Sequence, residues 1–290
     1  MEEIAIVGAG VAGLTAATYL GRFRRAVVVF DGGPPRARLI PESHNTPGFP
    51  QGIGGTELLV RLRAQAERYG ARMVAERVNA LGRTESGFIV RSASAWVRTP
   101  FVILASGILD RVPAIAGLDE AIERGVVRLC PVCDAYEAID KRIAVLADEA
   151  GAHQVRFLRR YSAQVTWLRL HAEDRVCRGS DATTVVEISP DQIELRRNDI
   201  LIRRAGQATD RFDCLYLALG CTPQAQLARD LGARVDEAGQ LIVSAHQETS
   251  VRGVFAAGDV VRGLNQIAVA CGEAAIAATA IHNRLDAGAA

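Results

Sequence analysis

The 290-residue chain carries two patterns of residues able to do chemistry. The first is Cys130-Pro131-Val132-Cys133-Asp134. Two cysteines three apart can close a small disulfide ring at a helix start, where the dipole lowers a thiol pKa and makes the thiolate reactive. Pro131 suits the first helical turn because it has no N–H to lose. Asp134 sets a carboxylate beside the pair as a proton donor or acceptor. The rival reading is half a zinc site. A structural zinc site usually needs four ligands, and no second C-x-x-C or H-x-x-x-H accompanies this one. Cys177, Cys214, Cys221 and Cys271 are isolated and the five histidines are scattered, so no metal site is expected.

The second pattern is Gly8-Ala9-Gly10-Val11-Ala12-Gly13, which follows the apolar run Ile4 to Val7 and precedes a helical stretch from Leu14 to Leu20. A second apolar strand, Ala26 to Phe30, ends at Asp31. Gly8 permits a tight turn, Gly10 lets the backbone approach a pyrophosphate, and Gly13 allows close helix–strand packing. The helix N-terminus offers unpaired N–H groups to the phosphates, and Asp31 can accept bonds from a ribose diol. Alone, such a turn also fits an unliganded α/β domain. Far along the chain, Gly253 to Val260 reads as an apolar strand stopped by Gly258-Asp259. An acidic residue there can bond the ribityl hydroxyls of a flavin, which points to FAD rather than NAD. A plain strand and turn is the competing reading.

These residues need a scaffold of two α/β blocks. Gly32 to Gly55 is rich in Gly and Pro and reads as loop; Thr56 to Tyr69 reads as a helix with Thr56 as N-cap. Gly87 to Pro100 alternates like antiparallel strands, and Phe101 to Ala105 is a buried strand. Asp110 to Gly117 breaks the pattern. A second block follows, with strands at Ile143 to Ala147, Gln164 to Leu170 and Phe212 to Leu219 and a helix from Gly151 to Tyr161; the chain then returns to the first block with a final helix from Gly272 to Leu285. The expected fold is α/β with two Rossmann-like, three-layer dinucleotide-binding domains. Residues 1–117 and 248–290 form one domain, split by an inserted domain at 118–247.

Composition adds exclusions. Hydrophobic residues make up 49% and charged residues 23%, and 34 basic against 33 acidic residues leave a net charge of +1. Neither a nucleic-acid partner nor a membrane surface is expected from that balance. The start lacks the features of a secretory signal, and no apolar run reaches a membrane span, so a cytoplasmic location is the default expectation.

The ordered combination of N-terminal G-x-G-x-x-G, central C-x-x-C-D and C-terminal GVFAAGD followed by a Gln and an Ala-rich helix resembles the low-molecular-weight thioredoxin-reductase family of flavoprotein disulfide oxidoreductases. The resemblance spans nearly the whole chain. It implies that Cys133 faces the flavin, that Cys130 exchanges with a partner disulfide, and that Asp134 is the general acid/base. It places Asn45 of HNTPGFP near the flavin and Gln266 and Ile267 against the isoalloxazine ring. Gly107 matches the end of the family's A-T-G motif. It also implies a homodimer, and rotation of the inserted domain about linkers near Pro113–Gly117 and Glu248–Ser250. The partner is expected to be a thioredoxin-like protein or a small-molecule dithiol or disulfide.

One departure matters. Family members bind NADPH in the inserted domain through their own G-x-G-x-x-A turn. Here the corresponding residues are Ala147-Asp148-Glu149-Ala150-Gly151-Ala152. Asp148 and Glu149 stand where a pyrophosphate would sit, and side chains fill the space glycines leave. The family's H-R-R-x-x-x-R is replaced by Leu168 to Arg175, where Arg169, His171 and Arg175 either compensate or form a solvated face. The expectation is a protein that does not use NADPH efficiently. Ferredoxin as donor, or reverse flow from a substrate dithiol to oxygen, then stays open beside ordinary NADPH-dependent reduction.

Overall fold

The computed structural model describes residues 3–170, 184–204 and 206–288. Two five-stranded parallel sheets organise them. The first runs Val254–Ala256, Phe101–Leu104, Ile4–Val7, Val27–Phe30, Arg72–Val74. Its three central strands are four-residue apolar runs buried on both faces, which is why they do not alternate. The helices Val11–Arg22 and Ile267–Gly288 cover one face through Leu14, Ala17, Leu20, Ala274, Ala277 and Ile281. Small side chains on the last helix let the two helices lie close. An antiparallel meander, Ala80–Thr84, Gly87–Arg91 and Trp96–Thr99, covers the other face with Leu81, Phe88 and Val90.

The second sheet repeats the plan in the order Thr184–Ile188, Val165–Leu170, Ile143–Ala147, Cys214–Ala218, Val127–Arg128. Leu118–Glu123 and a second meander (Ile193–Leu195, Ile200–Ile202, Asp210–Phe212) pack on one face. Ala152–Leu158 packs on the other. The expected three-layer α/β duplication is therefore the observed architecture.

Several expectations change. Phe212 to Leu219 is two strands, because Asp213 leaves the ladder to receive Arg142 N at 2.8 Å and Arg142 Nη2 at 2.8 Å. The helix after the Gly/Pro loop starts at Gly55 with Gly54 as N-cap, not at Thr56. A side chain at Gly55 would bring its Cβ to 1.8 Å from Ala37 O, so the helix can start there only with glycine.

The chain crosses between units on two antiparallel strands, Ile108–Asp110 and Cys221–Pro223, with Arg111 N bonded to Gly220 O at 2.9 Å. Ala225, Ala228, Ala233 and Leu241 pack on the first sheet's core. We therefore place the return to the first unit at Cys221–Pro223, earlier than residue 247. Glu248 is held inside the first unit by Arg284 at 2.6 and 2.8 Å. Among the described residues, no helix is long and apolar enough to cross a membrane.

Candidate active site

The glycine-rich turn comes first. Gly8 has φ +110, and a Cβ on it would lie 2.3 Å from Ala105 O. A Cβ on Gly13 would lie 1.9 Å from Gly8 O. Both positions need glycine for the strand, turn and helix to close on one another. Gly10 is different: its nearest neighbour would be Pro35 Cβ at 3.6 Å, so the backbone there is open to a ligand. No side chain caps the helix that follows, which leaves its first N–H groups available. Ala12 packs against Gly258, where a Cβ would meet its methyl at 3.0 Å, and this brings Asp259 to the same helix end.

Asp31 lies at the end of its strand, paired with Arg63, beside a 440 Å³ cavity also lined by Gly32, Pro34, Glu76 and Arg77. Burial pushes the Asp259 carboxyl above its usual range; Arg36 opposes this and Asp110 adds to it. Arg36 bridges the two acids. Its Nε and Nη2 bond Asp110 at 2.7 and 2.9 Å, and its Nη1 lies 4.0 Å from Asp259. Gly107 adopts φ +66, and its carbonyl accepts Gln224 N at 2.9 Å, tying the two crossing segments together. An open glycine at a bare helix start and a half-buried carboxylate at the second strand end fit a dinucleotide such as FAD.

Cys130 and Cys133 form a disulfide with a Cα–Cα distance of 5.3 Å. Cys130 is the N-cap and Pro131 opens the helix, as expected, but Pro131–Asp134 is a single turn. Its dipole supports a thiolate less than a full helix would. A contact from the other unit stands in its place. Gln266 Nε2 lies 3.4 Å from Cys133 Sγ and 3.6 Å from Cys130 Sγ. Asn45 Nδ2 donates to Gln266 Oε1 at 2.9 Å. Ile267, the next residue, begins the last helix and packs on the first core.

Asp134 faces the second sheet. Tyr216 donates its hydroxyl to Asp134 Oδ1 at 2.9 Å, and Arg128 Nη1 lies 3.7 Å from Oδ2 and 2.7 Å from the Asp134 carbonyl. Burial pushes the carboxyl up to about 6, against the pull of Arg128 and the Tyr216 hydrogen bond. Such a group exchanges protons near neutral pH. Cys214, behind this cluster, is pushed up to about 11 by burial and stays a thiol.

Sequence reasoning missed Arg36, Arg128 and Tyr216. Arg128 is two residues before Cys130, and Arg36 is the first cation of a Pro-rich loop, so position gave a faint signal for each. Tyr216 lies in an apolar strand and gave none. Among the described residues no three His, Cys, Asp or Glu side chains converge as metal ligands.

The turn after Ile143–Ala147 is closed by its own side chains. Asp148 Oδ1 accepts Gly151 N at 2.9 Å, and Glu149 Oε1 meets Arg169 Nη2 at 3.0 Å. A Cβ on Gly151 would lie 2.3 Å from Ala218 O, so this glycine serves packing of the turn on the sheet. Trp167 Nε1 donates to Ala147 O at 2.9 Å, and Arg169 lies over the Trp167 ring. His171, Arg175 and Cys177 lie outside the described residues.

Two dinucleotide-type units that meet around a C-x-x-C disulfide define a flavoprotein disulfide oxidoreductase of the thioredoxin-reductase type. The chain belongs to the pyridine nucleotide-disulphide oxidoreductase family, whose model matches residues 2–274. It is 32% identical over 90% of its length to NADPH-dependent thioredoxin reductase 3 of Arabidopsis thaliana, although it spans only 54% of that relative. It is 31% identical to a thioredoxin reductase of Streptomyces coelicolor, over 90% of this chain and 86% of the relative. The crystal structure of thioredoxin reductase from Streptococcus pyogenes covers 99% of both chains with a TM-score of 0.86 at 26% identity.

Proposed function

We propose that the protein passes electron pairs between FAD and the Cys130–Cys133 pair, and onward to a thiol or disulfide partner, without efficient use of NADPH. The observation that carries the first half is the reach of Gln266, from the first unit, to both sulfurs of the second. Bound FAD supplies a two-electron donor and acceptor. Gly8, Gly10, Ala12 and Gly13 would hold its pyrophosphate, Asp31 its adenosine ribose, and Asp259 its ribityl chain. Gly107, Asn45, Gln266 and Ile267 would border the ring.

The residues of this chain then have separable tasks. Cys133 faces the flavin side. Cys130 attacks or is attacked by the partner's sulfur, with exchange set by thiolate character and access. Asp134 takes the proton from the attacking thiol or returns it to the leaving sulfur. Tyr216 and Arg128 hold its carboxylate in place. Val132 and Tyr136 stand exposed beside the pair, an apolar rim suited to a thioredoxin-like protein or a small dithiol. A homodimer in the cytoplasm is part of the same reading.

The second half rests on the turn at residues 147–152. A nucleotide pyrophosphate there would have to displace the Asp148 carboxylate from Gly151 N and lie against Glu149. Ferredoxin as donor, or oxygen as acceptor, is compatible with such a site. Two findings favour ordinary NADPH-dependent reduction as a second reading. The inserted sheet keeps the nucleotide-type parallel order, and the plant relative is named for NADPH. Anaerobic addition of stoichiometric NADPH and then dithiothreitol to the FAD-loaded protein separates them. The proposal expects flavin bleaching only with the dithiol. Full bleaching by NADPH would replace it with the second reading.

A further inference from the structure

The sulfurs of the Cys130–Cys133 pair sit on the second unit, yet they take a hydrogen-bond donor from the first. That donor has a fixed direction. Ser43, a buried side chain, shares a 2.8 Å hydrogen bond with Thr46 Oγ1 and donates its hydroxyl to Asn45 Oδ1 at 3.1 Å. With its oxygen engaged, the Asn45 amide turns Nδ2 to Gln266 Oε1 at 2.9 Å. With its own oxygen engaged in turn, Gln266 presents N–H to Cys133 Sγ at 3.4 Å and Cys130 Sγ at 3.6 Å.

We propose that Gln266 stabilises the thiolate of the reduced pair by donating to Cys133 Sγ, and that Asn45 is the positioning residue that aims its N–H edge at sulfur. The proposal rests on the reading that this pair cycles between disulfide and dithiol. Reduction breaks the S–S bond and delivers two electrons to the two sulfurs. One proton gives Cys130 a thiol and leaves Cys133 as thiolate; a second proton gives two thiols. A disulfide sulfur is a weak acceptor and a thiolate a strong one, so the Gln266 bond strengthens as charge gathers on Cys133. The reduced form gains more than the oxidised form. The pair becomes easier to reduce, and the Cys133 thiol easier to ionise. The same contact joins the two units, so rotation of the second unit away from the first would withdraw the donor before Cys130 meets a partner.

The test is an equilibrium between the FAD-loaded protein and mixtures of dithiothreitol and its cyclic disulfide. Each dithiothreitol oxidised supplies two electrons and two protons. Thiols are trapped by alkylation, and the peptide holding both cysteines is weighed. Gln266→Ala is expected to shift the equilibrium toward the disulfide by about tenfold, which is about 30 mV in potential. Alkylation of Cys133 as a function of pH should move up by about one pH unit. Gln266→Glu, which puts a carboxylate in the donor's place, should shift the equilibrium at least as far. Asn45→Asp should act in the same direction, because a carboxylate there accepts the Gln266 N–H and turns its oxygen to sulfur.

If Gln266→Ala fails to fold, Gln266→Glu and Asn45→Asp carry the test. A merely structural contact would lower thermal stability and leave both readouts unmoved. Variants within twofold of wild type in the equilibrium would overturn the proposal. A pair that no ratio of dithiothreitol reduces would instead sink the underlying reading of the pair as redox-active.

Discussion

The turns at residues 8–13 and 147–152 occupy equivalent places in two copies of one architecture, and they end differently. Each follows a buried parallel strand and opens a helix. In the first, Gly10 is open and the helix start is bare. In the second, Asp148 bonds Gly151 N at the helix start, and Glu149 is paired with Arg169. A helix N-terminus attracts an anion because its N–H groups lack partners. Neither helix start has a side-chain cap, but the first copy leaves open backbone beside it at Gly10, and the second sets the Asp148 and Glu149 carboxylates against it. A duplicated fold need not carry a duplicated ligand.

The comparison breaks most readily at Gly13. Gly13→Ala would put a methyl 1.9 Å from Gly8 O. The purified variant is expected to hold at most about a tenth of the wild-type flavin, because the turn cannot close on the strand. Full flavin content, measured as the ratio of visible to protein absorbance, would show that the turn relaxes freely.

The second copy can be sharpened in the opposite direction. Replacing Asp148 and Glu149 together by glycine removes two charges from the helix start. Each opposes an anion about 4 Å away by about 1 kcal/mol even in a water-like dielectric. Flavin reduction by NADPH should then gain about tenfold or more. No gain would place the block elsewhere in the inserted unit. Thermal stability should fall by about 1 kcal/mol, since the Asp148 bond to Gly151 N and the Glu149–Arg169 pair are lost with the charge.

Smaller effects separate the dithiol region from both turns. Asp134, with a carboxyl near 6, accepts a proton only when ionised. Exchange between Cys130 and a partner disulfide should therefore rise with pH through about 6, and Asp134→Asn should remove that limb. Tyr216→Phe deletes a hydrogen bond that favours the charged carboxylate. The limb should then move up by at most about one pH unit. An unmoved limb would assign the titration to another group.

The same carboxyl also bears on stability. Asp134 binds its proton more tightly in the folded chain than in the unfolded one. The resulting stabilisation is complete below pH 3.8 and is lost as pH rises through about 6. Asp134→Asn should melt higher than wild type at pH 8, by of order 2 kcal/mol in stability, and the difference should vanish near pH 4. A higher wild-type melting point at pH 8 would reverse the sign of the argument.

The elements that could be read in sequence were those whose reasons are local. Ile4 to Val7 and Ile143 to Ala147 are apolar without alternation because both faces are covered. Gly13 answers to a contact within the same turn, with Gly8 O. Arg72–Val74 escaped notice because three partly exposed residues become a strand only by pairing with Val28 to Phe30. The return crossing at Cys221–Pro223 depends on a partner more than a hundred residues earlier. Cys130, Cys133 and Asp134 were legible as a group. The contacts that aim them were not: Tyr216 reads as an ordinary strand residue, and Gln266, expected at the flavin ring, meets the sulfurs from another unit.

The central claim is tested most directly by reducing the FAD-loaded protein anaerobically with dithiothreitol and following flavin absorbance in wild type, Cys130→Ser and Cys133→Ser. The account predicts complete bleaching in wild type, and loss of dithiol-driven bleaching in both variants with flavin content retained. Bleaching of the Cys133→Ser protein at the wild-type rate would show that electrons reach the flavin by another route, and would contradict it.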